Sequence, residues 1–168
     1  MDTDFDARRR GEFPVDAPIE ALKTDHALVR QLFDRYFQAK DMNEKKDIGR
    51  RLLVVLEEHT ALEEGAFYPR VRTVDPSLVD QCEQEHEKAQ QLMDRFKITD
   101  ESDPRIDQLY RQLADAILAH VDNEEQHLFP KIENAQLDLG AIGREMQTFE
   151  ISMIADRLQK PIAPGLRV

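Results

Sequence analysis

Six residues of the 168-residue chain have the types and spacing to do chemistry together: His26, His59, Glu63, His86, His120 and Glu124. Two of the histidines head a His-x-x-x-Glu pair, and residues four apart in a helix share one face. The pairs sit in an internal repeat. The stretch from His59 through Glu63, Glu64, Phe67 and Tyr68 to Pro69 aligns without gaps on His120 through Glu124, Glu125, Leu128 and Phe129 to Pro130, at a shift of 61 residues. Asp25-His26 aligns on Glu85-His86 at a shift of 60. Imidazole nitrogen and carboxylate oxygen together are donors for a divalent cation, and mixed sets of them suit iron, with manganese, zinc or cobalt as substitutes. Two glutamates between two histidine pairs suggest two ions with bridging carboxylates. The pseudo-twofold symmetry gives His26 and His59 to one ion and His86 and His120 to the other.

The elements that must position these residues are helices. Ile19, Leu22, His26, Val29, Phe33 and Tyr36 follow one another at steps of three and four, and the same steps recur around His59, His86 and His120. That is helical periodicity with one buried stripe per helix, and no segment alternates like a strand. Asp75-Pro76 and Asp103-Pro104 read as capped helix starts, Ala17-Pro18 and Asn43-Glu44 as weaker ones, and Pro69 and Pro130 as stops or kinks. The spacing predicts helices over 18–40, 44–68, 76–98 and 104–129. Short connections between long helices make an all-α, antiparallel, up-down-up-down four-helix bundle. The predicted organisation is an arm at 1–17 with an Arg8-Arg9-Arg10 run, the bundle at 18–130, and an extension at 131–168. Ile142, Met146, Phe149 and Met153 mark a fifth helix near 138–159, ended by Pro161 and Pro164, that packs on the bundle or on another chain.

Heights along the bundle provide a separate check. His26 lies 8 residues after Pro18, His86 10 after Pro76, and His59 and His120 each 10 before a proline. In an antiparallel bundle these four positions all fall about 12–15 Å from the same end, in one layer. The two glutamates enter that region one turn further on. A purely structural polar core is the poorer reading, because an unmetallated cluster of this composition leaves buried polar groups unsatisfied.

Composition narrows the partners. Hydrophobic residues make up 40% and charged residues 34%, too apolar for a disordered chain and too charged for a membrane protein. The net charge of −11 disfavours nucleic acid, and part of that acidity is free to face a cation. No apolar run is long enough to cross a membrane, and the first residues do not resemble a secretion signal. The lone Cys82 cannot form an intrachain disulfide, which fits a reducing, cytoplasmic setting. No phosphate-binding glycine loop, nucleophile triad or CxxC pair is present.

One His, then His-x-x-x-Glu, one His, then His-x-x-x-Glu resembles the hemerythrin-like HHE cation-binding family, over about residues 24–130. The resemblance implies a four-helix bundle with a non-haem di-iron centre, two iron ions bridged by both glutamates and an oxo, hydroxo or water oxygen. Its ligands fall on His26, His59, Glu63, His86, His120 and Glu124. Oxygen carriers of the family have one more histidine four residues after the third-helix ligand, where this chain has Gln90. The missing ligand turns expectation away from reversible oxygen carriage and toward redox chemistry or sensing with O2, NO or peroxide. Whether the centre turns over is open. The alternatives are a metal- or redox-dependent interaction module, with a partner or second copy on the C-terminal helix, and a zinc-filled structural bundle. A ferritin-like site would repeat Glu-x-x-His. The chain has Glu83-x-x-His86 but Lys23 at the matching place before His26.

Residues beside the six have quieter expected roles. Glu64, Glu125 and Glu58 sit off the ligand face, pointing to solvent or supporting roles. His127 shares the stripe about 10 Å nearer the bundle end, as a group supporting the ligands, an entry-channel base or a plain interior histidine. Cys82 reads as small core filler. Tyr36 and Tyr110 belong to the core about 15 Å away, while Phe67, Leu128 and Phe129 wall the centre.

Overall fold

The structure, a computed structural model, describes residues 13–159, so the Arg8–Arg10 run, Pro161 and Pro164 lie outside it. Helix α1 (Pro18–Gln38) opens on Pro18, whose missing N–H would be unpaired at that position anyway. Helix α2 (Met42–Leu62) starts earlier than Asn43 suggests. Its cap is Asp41, whose carboxylate accepts from the Asn43 and Glu44 amides at 3.0 and 2.9 Å.

Pro69 and Pro130 do not end their helices. Each is reached through a wide π turn, Glu63–Phe67 or Glu124–Leu128, after which α-helix resumes as α3 (Tyr68–Val71) or, later in the chain, as Phe129–Asn134. The amides of Tyr68 and Phe129 reach back to the carbonyls of Glu63 and Glu124. A normal α turn would drive the proline ring into the carbonyl four residues earlier, and the wider turn relieves that clash.

Helix α4 (Pro76–Lys97) begins as expected, with Asp75 accepting from the Leu78 amide at 3.0 Å. Helix α5 (Ile106–Asn123) begins two residues later than Pro104 suggests. Asp103 accepts from the Arg105 amide at 2.8 Å, and residues 104–105 form a turn instead. The resumed segment Phe129–Asn134 is α6, and α7 (Leu139–Gln159) follows it.

The long helices form the antiparallel bundle, α1 pairing with α2 and α4 with α5, and no strand occurs among the described residues. The core falls into two apolar clusters. One, around Val29, Phe33, Leu52, Met93 and Leu113, fills the end of the bundle where α1 stops. The other, around Leu22, Phe67, Val79, Leu128 and Phe129, fills the opposite end. The histidine layer lies between them, so the polar residues are sealed from both ends by hydrocarbon.

Helix α7 packs on the bundle of its own chain. Ile142 and Met146 are buried in the second cluster, and the Phe149 ring lies against Gly65 in the first π turn. Arg70 pairs with Glu145 at 2.7 Å, and Arg157 pairs with Glu58. At Gly143 the backbone of α7 meets the Val15 carbonyl so closely that a Cβ would overlap it. Helix propensity alone favours alanine over glycine by roughly 1 kcal/mol. Overlap with fixed backbone opposes that, so Gly143→Ala is expected to destabilise by a net ~1–2 kcal/mol. Thermal unfolding followed by circular dichroism checks it, and an unchanged midpoint would contradict the close approach.

Candidate metal centre

The structure brings all six sequence-derived residues into one layer, and every one is buried. His26 and His59 meet through their Nε2 atoms at 3.1 Å, and His86 and His120 meet in the same way at 2.9 Å. Glu63 Oε2 lies 3.2 Å from His59 Nε2, 3.2 Å from His86 Nε2 and 4.0 Å from His120 Nε2. Glu124 Oε2 lies 3.3 Å from His26 Nε2 and 3.4 Å from His120 Nε2. Each carboxylate therefore stands between one histidine pair and the other. Two nitrogens bound near a right angle at about 2.1 Å from one ion would stand about 3.0 Å apart, the spacing of both pairs. His26, His59, Glu63 and Glu124 form one group able to hold a cation, and Glu63, His86 and His120 form another.

The outward nitrogens explain why the inward ones converge. His26 Nδ1 donates to Glu125 at 2.9 Å, His59 Nδ1 to Asp25 at 3.2 Å, His86 Nδ1 to Glu64 at 3.0 Å and His120 Nδ1 to Glu85 at 3.0 Å. The carboxylates run in a ring. Asp25 on α1 holds the histidine of α2, and Glu64 after α2 holds the histidine of α4. Glu85 on α4 holds the histidine of α5, and Glu125 after α5 holds the histidine of α1. Each of the four is the sequence neighbour of a centre residue, so one turn of backbone serves two imidazoles. An ionised carboxylate only accepts, which places the ring hydrogen on Nδ1 and leaves a lone pair on Nε2. Four lone pairs then face one another across a dry layer with two carboxylates. Glu63 Oε1 and Glu124 Oε2 accept no hydrogen bond there. Cations satisfy all of these atoms, whereas protons shared between imidazoles and carboxylates would satisfy only some of them.

The chemistry of the six matches what a cation needs, and comparison with known proteins places the chain. The model of the hemerythrin HHE cation-binding domain matches residues 17–142. The chain belongs to the hemerythrin HHE cation-binding family. The crystal structure of an HHE cation-binding domain-containing protein from Mycobacterium kansasii superposes with a TM-score of 0.67 at 21% identity, over 86% of this chain and 93% of that one. A DNA nickase of Nostoc sp. is 29% identical over 116 residues, and the chain spans about a third of its length, 33%.

Within this HHE fold the residues beside the six separate cleanly. Gln90, where oxygen carriers have a further histidine, turns away and donates to Asp94 at 2.9 Å. Glu83 pairs with Arg72 at the surface, so the lone Glu-x-x-His does not enter the layer. His127 corrects the expectation of a stripe position. It is exposed, its Nδ1 facing the Asn123 carbonyl at 3.3 Å, because the π turn inserts a residue and rotates it off the buried face. Cys82 is fully buried in the core, its thiol pushed up by burial and the nearby Glu124, Glu85 and Glu63 carboxylates.

Tyr68, like Asp25 and Glu85, is a residue to which sequence reasoning gave no role. Its hydroxyl donates to Glu124 Oε1 at 2.7 Å and lies 3.3 Å from Glu63 Oε2 and 3.5 Å from His86 Nε2. Its repeat partner, Phe129, stacks on His26 with ring centroids 5.7 Å apart, as Tyr68 stacks on His86 at 5.5 Å. The only available signal was that tyrosine stands where the repeat has phenylalanine. The two halves differ outside the layer as well. Arg30 clamps Glu125 with bonds of 3.0 and 3.1 Å, whereas Glu64 is half exposed. The His26 half is thus the better braced, and the His86 half holds the Tyr68 hydroxyl.

Proposed function

We propose that the centre holds two iron ions and binds or reacts with O2, NO or peroxide, in a reducing, cytoplasmic setting. The observation that carries this reading is the convergence of four Nδ1-anchored imidazoles on two shared carboxylates. The residues fit iron because the donor set mixes nitrogen and oxygen and is complete without thiolate. His26, His59, His86 and His120 would be terminal ligands, Glu63 and Glu124 would bridge, and a water-derived oxygen would complete the set. Bound iron supplies electrons and an open position for a small ligand.

The rest of the chemistry belongs to the chain. The four outward carboxylates fix each imidazole's tautomer and direction. Phe129 and Phe67, in edge contact at 6.0 Å, close one side of the layer against water. With Gln90 turned away, the His86 half has one protein nitrogen fewer than in the carriers, and Tyr68 stands on this half with its hydroxyl 3.5 Å from His86 Nε2. Its proton is held firmly, since burial and then the Glu63 and Glu124 carboxylates push the phenol well above its ordinary range. It therefore serves as a hydrogen-bond donor to a bridging carboxylate and to whatever oxyanion lies next to it.

Tyr68→Phe removes that donor and leaves Glu124 the stronger electron donor. A hydrogen bond to a charged group contributes about 1.5–3 kcal/mol, so the potential of the iron pair is expected to fall by roughly 60–120 mV with metal content unchanged. Potentiometric titration followed by absorption checks this, and an unshifted potential would remove Tyr68 from the centre.

A second reading rests on α7. Phe149 bears on the π turn that carries Glu63, so closing Glu63 onto metal presses on that helix, whose Ile151 is exposed. A protein partner or second copy seated there would make the centre a metal-dependent sensing module without turnover. DNA is not proposed as a substrate, because a chain of net charge −11 repels a polyanion. The deciding experiment is elemental analysis of protein purified without added metal, with an absorption spectrum and peroxide and NO titrations of the same sample. About two irons per chain, near-ultraviolet oxo-to-iron bands and multiple turnovers of peroxide support the first reading. Iron without turnover supports the second, and zinc alone contradicts the first and points to a structural or sensing role.

A further inference from the structure

The ring of outward carboxylates is covered at three places and open at one. Asp25 has 4% of its side chain exposed, Glu85 21% and Glu125 26%, but Glu64 has 47%. Their partners differ in the same direction. Besides its contact with His120, Glu85 accepts from Gln81 and Asn123. Glu125 is gripped by both terminal nitrogens of Arg30, which also reaches Asp122 at 3.1 Å. Glu64 bonds to His86 alone among the described residues, and no lysine or arginine pairs with it there.

The internal repeat shows what the open side lacks. At the shift of 60 that aligns His26 on His86, Arg30 falls on Gln90, while Glu125 is the counterpart of Glu64. A guanidinium therefore covers the carboxylate beside His26. At the matching place a neutral amide, turned to Asp94, leaves the carboxylate beside His86 uncovered. A cation arriving from water meets a fixed positive charge at Glu125 and an unneutralised carboxylate at Glu64. Steering by fixed charges changes association rates by about ten- to a thousandfold. The His86 ring spans from Glu64 at Nδ1 to the centre at Nε2, so a cation taken up by Glu64 has one imidazole to pass. The position behind that ring is also the less completely held. His26, His59, Glu63 and Glu124 come together around one place for an ion, and only Glu63, His86 and His120 around the other.

We propose that Glu64 is the docking point for divalent cations entering and leaving the centre, and that the ion between His86 and His120 is the exchangeable one. The ion between His26 and His59 exchanges slowly, because Arg30 fixes Glu125 against His26 and repels a cation approaching there. This rests on the two-ion reading above and holds for any divalent metal.

The test is stopped-flow loading of the stripped, full-length protein with cobalt(II), followed by visible absorption, and release of the bound cobalt to EDTA. Wild-type protein is expected to take up and release two ions in separate phases at least about tenfold apart, with loading slowed by added salt. Glu64→Gln is expected to load about tenfold more slowly. Gln90→Arg, which sets a guanidinium over Glu64 as Arg30 stands over Glu125, should slow the fast phase of loading and of release by a similar factor. Arg30→Gln should instead speed the slow phase of release. All three variants should still hold two cobalt ions at saturation, which separates a blocked route from a lost fold. Fewer than two ions in the wild type would overturn the two-ion reading and the route with it. Two ions that leave in a single phase, or loading at the wild-type rate in both Glu64→Gln and Gln90→Arg, would overturn the route alone.

Discussion

Glu63→Ala protein is expected to lose at least about 100-fold in metal affinity, beyond the 10–100-fold typical when a supporting carboxylate is removed. Glu63 is within 4.0 Å of three of the four Nε2 atoms, whereas Glu124 Oε2 is that close to two, one in each pair. Loss of its charge leaves His59 and His86 facing each other across the layer with one carboxylate instead of two. Metal per chain, measured by elemental analysis after gel filtration, should fall by half or more. Glu64→Gln changes only the partner of His86 Nδ1, and it is expected to keep its metal with a 10–100-fold weaker affinity. If Glu63→Ala retains the wild-type metal content and affinity, the bridging assignment is wrong.

Stripping the metal should be the other large effect. A cation that binds only the folded chain stabilises it by about 4 kcal/mol at a free concentration a thousandfold above its dissociation constant. For a chain of this size that corresponds to a fall in the unfolding midpoint of roughly 8–16 °C on chelation. In the stripped protein a proton takes over part of the cation's role. Burial alone would lower the His86 imidazole, but hydrogen bonds to Glu63 and Glu64 outweigh it and raise it to about 9. A value raised above the ordinary 6.5 means stability fully present below 6.5 and lost as pH climbs through about 9. Glu85 acts in the opposite sense. Burial pushes it up, yet the hydrogen bonds from His120, Gln81 and Asn123 bring it down to about 2, so its contribution is present above 4.5 and lost as pH falls toward 2. Stripped protein is therefore expected to be most stable between about 4.5 and 6.5 and to weaken above that range. Metal uptake near pH 7 should release the His86 proton, because the bound imidazole is neutral. Thermal unfolding across pH, with and without chelator, checks the first point. Calorimetry of metal binding in buffers of different ionisation enthalpy checks the second.

Much of the centre was legible because its signals are local. A histidine at an inward position is visible from the apolar residues three and four away, and the repeat doubles every such observation. The position of the layer followed from helix rise and the prolines alone. The carboxylate ring was legible only in part, through the solvent or supporting roles expected of Glu64 and Glu125, although all four of its members are sequence neighbours of the six. Asp25 and Glu85 drew no role from the sequence, because their partners, His59 and His120, are on the next helix. Tyr68 was hidden for the same reason, since its hydroxyl reaches Glu124 on another helix. His127 was misplaced because periodicity assumes an unbroken α-helix, and the π turn before Pro130 breaks the phase.

The amino-acid sequence by itself determined the helices, their antiparallel order, the six buried donors and their common height, since all of these follow from spacing along one chain and a fixed rise per residue. Only the tertiary structure decided which carboxylate steadies which imidazole, which half of the centre carries the hydroxyl, and that α7 closes on its own bundle. Those choices depend on side chains that meet across helices, where distance in space is unrelated to distance along the chain.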